Sequence, residues 1–224
     1  MNARTLGKVA GGFFFPLFVS LFITSISLVQ MTGAPVMEPL FTEVLSSQVA
    51  DNEELALQAV KAGCGDKASM DVQFSGGSLS VNCALLKSAM GMDGIAKAYF
   101  SAFQSKTYQC SFIDCLSHVE IILSAQGASL LNTASLIFLV MSIVSGMTLA
   151  LSLQGFGIAK GIGASLILVG LPYFTKYMPI DLPFASMGVI VDIFTSNFLI
   201  ALYAGVLLLV VGLIGEMDMG KKKA

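Results

Sequence analysis

A chain of 224 residues that is 55% hydrophobic and only 12% charged carries about half the charge of an ordinary soluble domain, and such a deficit marks lipid-facing surface. Fourteen acidic and twelve basic residues leave a formal net charge of −2. That balance excludes the strongly basic surfaces that hold nucleic acid.

Arg4 and Lys8 precede a charge-free stretch that ends at Glu38, and Gly12 to Gln30 within it is continuously apolar. About 20 such residues cross roughly 30 Å of hydrocarbon as a helix. Residues 1–30 therefore read as a cytoplasmic N-terminus and a first span. The apolar run exceeds the roughly 7–15 residues of a signal peptide, and Met31-Thr32-Gly33-Ala34-Pro35 offers no small-x-small cleavage pattern, so retention is expected.

Residues 31–133 form a separate, soluble-looking domain. Ten acidic residues against five lysines give it a net charge of −5. Pro39 through Lys61 carries Leu40, Val44, Leu45, Val49, Leu55 and Ala59 at mostly helical spacing, with Gly63 as a stop. Ser69–Phe74 and Ser78–Cys83 alternate polar with apolar around Ser75-Gly76-Gly77, the pattern of a β-hairpin. Asp93 is expected to cap a helix on which Ile95, Tyr99, Phe100 and Phe103 share a face, running to about Tyr108.

All four cysteines, Cys64, Cys83, Cys110 and Cys115, fall in this domain. Segregation of that kind argues for an oxidising compartment and two disulfides. Three pairings are open. Hairpin geometry favours Cys64–Cys83, because Cys83 ends the second strand opposite Ser69, and Cys110–Cys115 would then close a small loop.

Downstream, no charge occurs between Glu120 and Lys160, and Ala134–Leu153 is its apolar centre. Residues 134–154 are the second span. Gly155-Phe156-Gly157 supplies a turn, and residues 155–178 hold this turn and the third span, with Pro172 expected to kink it and Lys160 and Lys176 placed to snorkel to opposite interfaces. Residues 179–195 read as an outer interfacial segment containing Asp192, since a helix continuous from Phe184 to Ile214 would need strong tilt. Residues 196–224 form the fourth span, Asn197–Ile214, and a Lys-rich tail. Arg4, Lys8, Lys160 and Lys221–Lys223 lie on one side and only Lys176 on the other, which puts both termini in the cytoplasm and residues 31–133 outside a plasma membrane.

The fold class expected is membrane all-α: a four-helix transmembrane bundle with a small mixed α/β, disulfide-stabilised extracytoplasmic domain, mainly helical with one hairpin. Small residues at Gly157, Gly161, Gly163, Gly205 and Gly212 are candidate helix-packing positions, because they let backbones approach. Asp192 and Asn197 are the candidate polar residues at the interface or within the membrane, where such groups are costly. His118 stands alone without zinc-ligand spacing, so no metal is expected, and no catalytic arrangement, cofactor fingerprint or nucleic-acid partner is read either.

In outline the chain resembles the quinone-linked membrane enzymes that form disulfides, which implies a thiol oxidoreductase, but their Cys-x-x-Cys is replaced by Cys110-x4-Cys115, and spacing controls thiolate reactivity. Four spans with a disulfide-bonded outer loop also resemble tetraspanins and claudins in outline. A tetraspanin's large loop lies between its third and fourth spans and carries Cys-Cys-Gly, whereas this one follows the first span and offers only Cys64-Gly65, and the Trp of the claudin loop is missing. No family is recognised. The expected function is a non-enzymatic subunit or scaffold of a membrane complex, making protein contacts through its outer domain, in contact with membrane lipids, and in a homo-oligomer or with other membrane proteins. A channel, transporter or secretion-pore subunit is the alternative, and the oxidoreductase a third.

Overall fold

Helix dominates the chain because long apolar runs and alanine- and leucine-rich segments satisfy their backbone internally. The structure, a computed structural model, describes residues 2–48, 53–74, 77–107, 121, 124–177 and 186–221. In chain order these are α1 (Ala3–Met31), α2 (Ala34–Gln48), α3 (Glu53–Cys64), β1 (Ser69–Phe74), β2 (Gly77–Asn82), α4 (Cys83–Ser88), α5 (Met92–Ser105), α6 (Ala125–Ser152), α7 (Gly157–Gly170), a 3-10 helix (Leu171–Tyr177) and α8 (Ser186–Lys221). Two compact units result. The first comprises Met1–Leu28, Asn132–Ile180 and Val191–Ala224, the second Val29–Leu131 and Asp181–Ile190.

Among the described residues, four helices are long and apolar enough to cross a membrane: Arg4–Met31, Ala125–Ser152, Gly157–Tyr177 and Gly188–Glu216. Only 11%, 28%, 22% and 22% of their most apolar stretches are buried, so most of that greasy surface points outward. Leu136, Ile137, Val140, Ile143 and Val144 on α6 are all exposed. In water that arrangement would be unstable.

Inside the first unit, Val169, Phe198 and Ala201 form a buried cluster with Val19, Ile23, Tyr173 and Phe194 packed on it. The turn between α6 and α7 has Gly155 at φ +53°, a left-handed conformation that glycine adopts without Cβ strain. Pro172 stands where α-helix gives way to 3-10 helix, because its missing N–H and its ring interrupt the regular ladder. Two boundaries differ from expectation. The helix that holds the second expected span begins nine residues before Ala134, at Ala125, with Ser124 Oγ accepting from the Gly127 amide at 3.0 Å as a cap. More consequentially, α8 runs unbroken from Ser186, so Asp192 is helical; no proline follows Ser186, and the carboxylate is matched by Lys176.

The second unit has its own core. Leu79, Val81, Cys64, Cys83, Leu86, Met92, Ile95, Ala98 and Phe103 are buried together, with Phe41, Leu45, Met70, Val72 and Tyr99 against them. Strands β1 and β2 pair antiparallel in the register Ser69↔Asn82 through Phe74↔Gly77, which sends Met70, Val72, Leu79 and Val81 to one face. Phe41 of α2 sits against Phe100 and Phe103 of α5, with ring centroids 6.3 and 5.7 Å apart. Burial raises the Tyr99 phenol above its ordinary range.

Two expectations change here. Over Pro39–Lys61, where one helix is expected, the structure describes α2 and α3, and residues 49–52 lie outside the described residues. Gly91, not Asp93, occupies the cap position of α5. Asp93 lies in the first turn, pairing with Lys97 at 3.2 Å and accepting from Thr42 Oγ1 at 3.3 Å, which ties α2 to α5. Cys83 opens α4 instead of ending β2, since Asn82 Oδ1 accepts from the Ala84 amide at 2.8 Å and starts the helix.

Candidate functional site

Of the expected site residues, the cysteines of the second unit are the most sharply placed. Gly65, at φ +43°, ends α3 immediately after Cys64, and the Cys83 amide donates to the Ala68 carbonyl at 2.9 Å. This turn and this bond across the base of the hairpin bring the cysteine Cα atoms to 5.6 Å, and Cys64–Cys83 is a disulfide. Both residues are essentially inaccessible, at 0% and 1%. A sulfur so enclosed cannot meet a partner thiolate without unfolding, which suits a staple rather than exchange chemistry. Cys110, Cys115 and His118 lie outside the described residues. Among the described residues no group of three or more His, Cys, Asp or Glu could hold a metal ion.

Within the first unit the small residues separate into two kinds. Gly163 and Gly205 face each other: a Cβ on Gly163 would stand 2.6 Å from Leu209 N and 2.8 Å from Gly205 O, and one on Gly205 2.6 Å from Ile167 N and 2.8 Å from Gly163 O. Gly170 lies the same way against Leu202 N (2.7 Å) and Gly212 against Lys160 N (2.9 Å). Backbone meets backbone along the whole α7–α8 crossing. Gly157, in contrast, has open space, and Gly161 meets only the flexible side chain of Leu153. The GxxxG pair most visible in the sequence is therefore not where the helices touch.

A second tight crossing, between α1 and α6, has no counterpart in the sequence expectations. A Cβ added to Gly7 would run into the Ser152 side chain, one on Gly11 would stand 2.8 Å from the backbone of Leu149, and one on Gly146 3.0 Å from the Phe15 ring. On α6 the buried positions Ser135, Ser142, Ser145, Leu149 and Ser152 follow the three-, four- and seven-residue spacing of a packing seam. Each of the four serines donates to a carbonyl of its own helix three or four residues back, which satisfies the hydroxyl and leaves a small, flat contact surface. That spacing of serines is the signal that could have disclosed the seam.

Asp192 and Asn197 are both engaged. Lys176 Nζ reaches Asp192 Oδ1 at 2.7 Å, and Lys160 pairs with Glu216. Asn197 Nδ2 donates to Ser27 Oγ at 2.9 Å, and Ser27, fully buried, donates in turn to the Ile23 carbonyl at 2.8 Å. Because the serine proton goes to a carbonyl rather than a base, this chain joins α8 to α1 and does not prepare a nucleophile. Beside it lies an apolar groove of about 300 Å³ walled by Val19, Ile23, Leu166, Ile200 and Ala204. Asn197→Leu should cost about 1 kcal/mol of bundle stability in detergent, measured by SDS titration; an unchanged midpoint would mean that the bond contributes nothing.

The chemistry available to this arrangement is association: close backbones, satisfied hydroxyls, paired charges and one enclosed disulfide. Compared with protein-family models, curated proteins and solved structures, the chain gives no match.

Proposed function

We propose that the chain is a non-enzymatic, four-span protein of the plasma membrane that serves as a subunit or scaffold of a membrane complex, with the second unit outside the cytoplasm making the protein contacts. The observation that carries this reading is the Cys64–Cys83 bond at the centre of a separate folded core. A buried disulfide in a unit with its own core suits an oxidising compartment, while four apolar helices with exposed apolar faces suit a lipid one. Lysine and arginine near the span ends then orient the chain, with Arg4, Lys8, Lys160 and Lys221 on the cytoplasmic side.

Contact as the task of the outer unit is supported by its surface. Leu55 on α3, Leu85 on α4 and the wholly exposed Met90 just before α5 present apolar side chains on an otherwise acidic unit, surface that a protein partner would remove from water.

Two measurements test the proposal. Protease added to sealed cells or right-side-out vesicles should cleave within residues 31–133 and spare both termini; cleavage at the termini instead would reverse the topology. Light scattering of the detergent-purified protein should give a mass above that of one chain plus its micelle. A strict monomer with no co-purifying protein would end the complex-subunit reading.

A further inference from the structure

We infer that the two ion pairs of the first unit set the depth of the α7–α8 pair, and that together they fit it to a bilayer whose hydrocarbon is about 30 Å thick. The inference rests on the membrane reading just proposed. Lys160 pairs with Glu216 at one end of the crossing, and Lys176 with Asp192 at the other. No charged residue lies between Asp192 and Glu216. Along α8 that interval rises about 36 Å; along α7 and the 3-10 helix, Lys160 to Lys176 rises about 27 Å. The thickness of an ordinary bilayer core falls between those two lengths.

Pairing changes what the lysines can do. A lone lysine snorkels, bending its long stem to keep the ammonium in the headgroup layer over several ångströms of mismatch. Here each ammonium is held to a carboxylate mounted on the neighbouring helix, so that slack is removed. The bracket works in both directions, because moving the helices by one turn, about 5.4 Å, would draw one pair or the other into hydrocarbon, where charge is costly. All four side chains keep solvent access, from 30% for Lys160 to 61% for Glu216, as groups at an aqueous boundary require. Tyr173 and Tyr177, whose hydroxyls are 3.0 Å apart, lie within a turn of Lys176 and supply the amphipathic rings that settle at that boundary. Between the pairs, Ile200, Val206, Leu207, Val210 and Val211 face outward.

The test uses the full chain reconstituted into phosphatidylcholine vesicles with monounsaturated chains of about 14 to about 24 carbons. Flotation on a density gradient establishes insertion, and loss of the near-ultraviolet circular dichroism on heating gives a stability midpoint in each lipid. A sharp maximum is expected near about 18 carbons. Lys176→Met with Asp192→Leu lengthens the charge-free surface and should move the maximum to longer chains; Lys160→Met with Glu216→Leu should do the same from the other end and decides the matter if the first variant does not fold. A broad plateau for the unaltered protein, or a maximum that neither variant moves, overturns the inference while leaving membrane insertion intact. Failure to float overturns the membrane reading and the inference with it.

Discussion

Replacing Cys64 and Cys83 together with alanine should destabilise the second unit by about 3 kcal/mol, the effect expected for a cross-link spanning a loop of this size. The two cysteines are 19 residues apart, and the loop they close contains the entire hairpin. Both sulfurs are buried beside Leu79, Val81 and Leu86, so alanine also leaves unfilled space and adds to the loss. Hydrogen exchange gives a local readout: amides over Ser69–Ser105 should exchange on the order of 100-fold faster, while those in the middle of α6 and α8 keep their protection. Unchanged exchange across the hairpin would show that packing alone holds this core. Equal acceleration in α6 and α8 would show instead that the two units unfold as one.

The second large effect is expected at Gly205. In Gly205→Ile the new Cβ meets the Ile167 amide nitrogen and the Gly163 carbonyl, both closer than 3 Å, and neither atom can rotate aside. The helices must separate, and the contacts at Gly163, Gly170 and Gly212 loosen with them. A cost of about 3 kcal/mol follows from forced overpacking. Gly157→Ala is the matched control, because nothing lies within 4 Å of the added methyl; it should shift the unfolding midpoint by no more than about 0.5 kcal/mol. SDS titration of both variants, read by circular dichroism, makes the comparison. If the two substitutions cost the same, the α7–α8 contact does not govern bundle stability.

These two results bear on what could be seen in the chain before its structure. The four long apolar helices were readable because hydropathy is a property of single residues: a charge-free run between Lys8 and Glu38, or between Asp192 and Glu216, announces itself. Cys64–Cys83 was readable because a hairpin brings its flanks together whatever else surrounds it. Helix partners were not. Which glycines meet depends on how α7 is turned relative to α8, and both the touching Gly163 and the open Gly157 look alike in sequence. That Asp192 belongs to α8 itself was hidden for a related reason, since a carboxylate in so long a helix is matched by Lys176, sixteen positions upstream and on another element. The serines of α6 were not among the expected packing positions, because which residues of an apolar helix meet a neighbour depends on how the helix is turned. With Leu136 and Ile137 outward and Ser135 and Ser142 inward, the usual order of greasy inside and polar outside is reversed.

That reversal governs how this molecule can drift. At Ser135, Ser142, Ser145 and Ser152, alanine or glycine should pass unnoticed while leucine, nearer the composition of the span, should be purged. At Leu136, Val140 and Val144, any bulky apolar residue serves equally. Kinship among such chains would thus be written in side-chain volume along one stripe, with oiliness everywhere else free to vary.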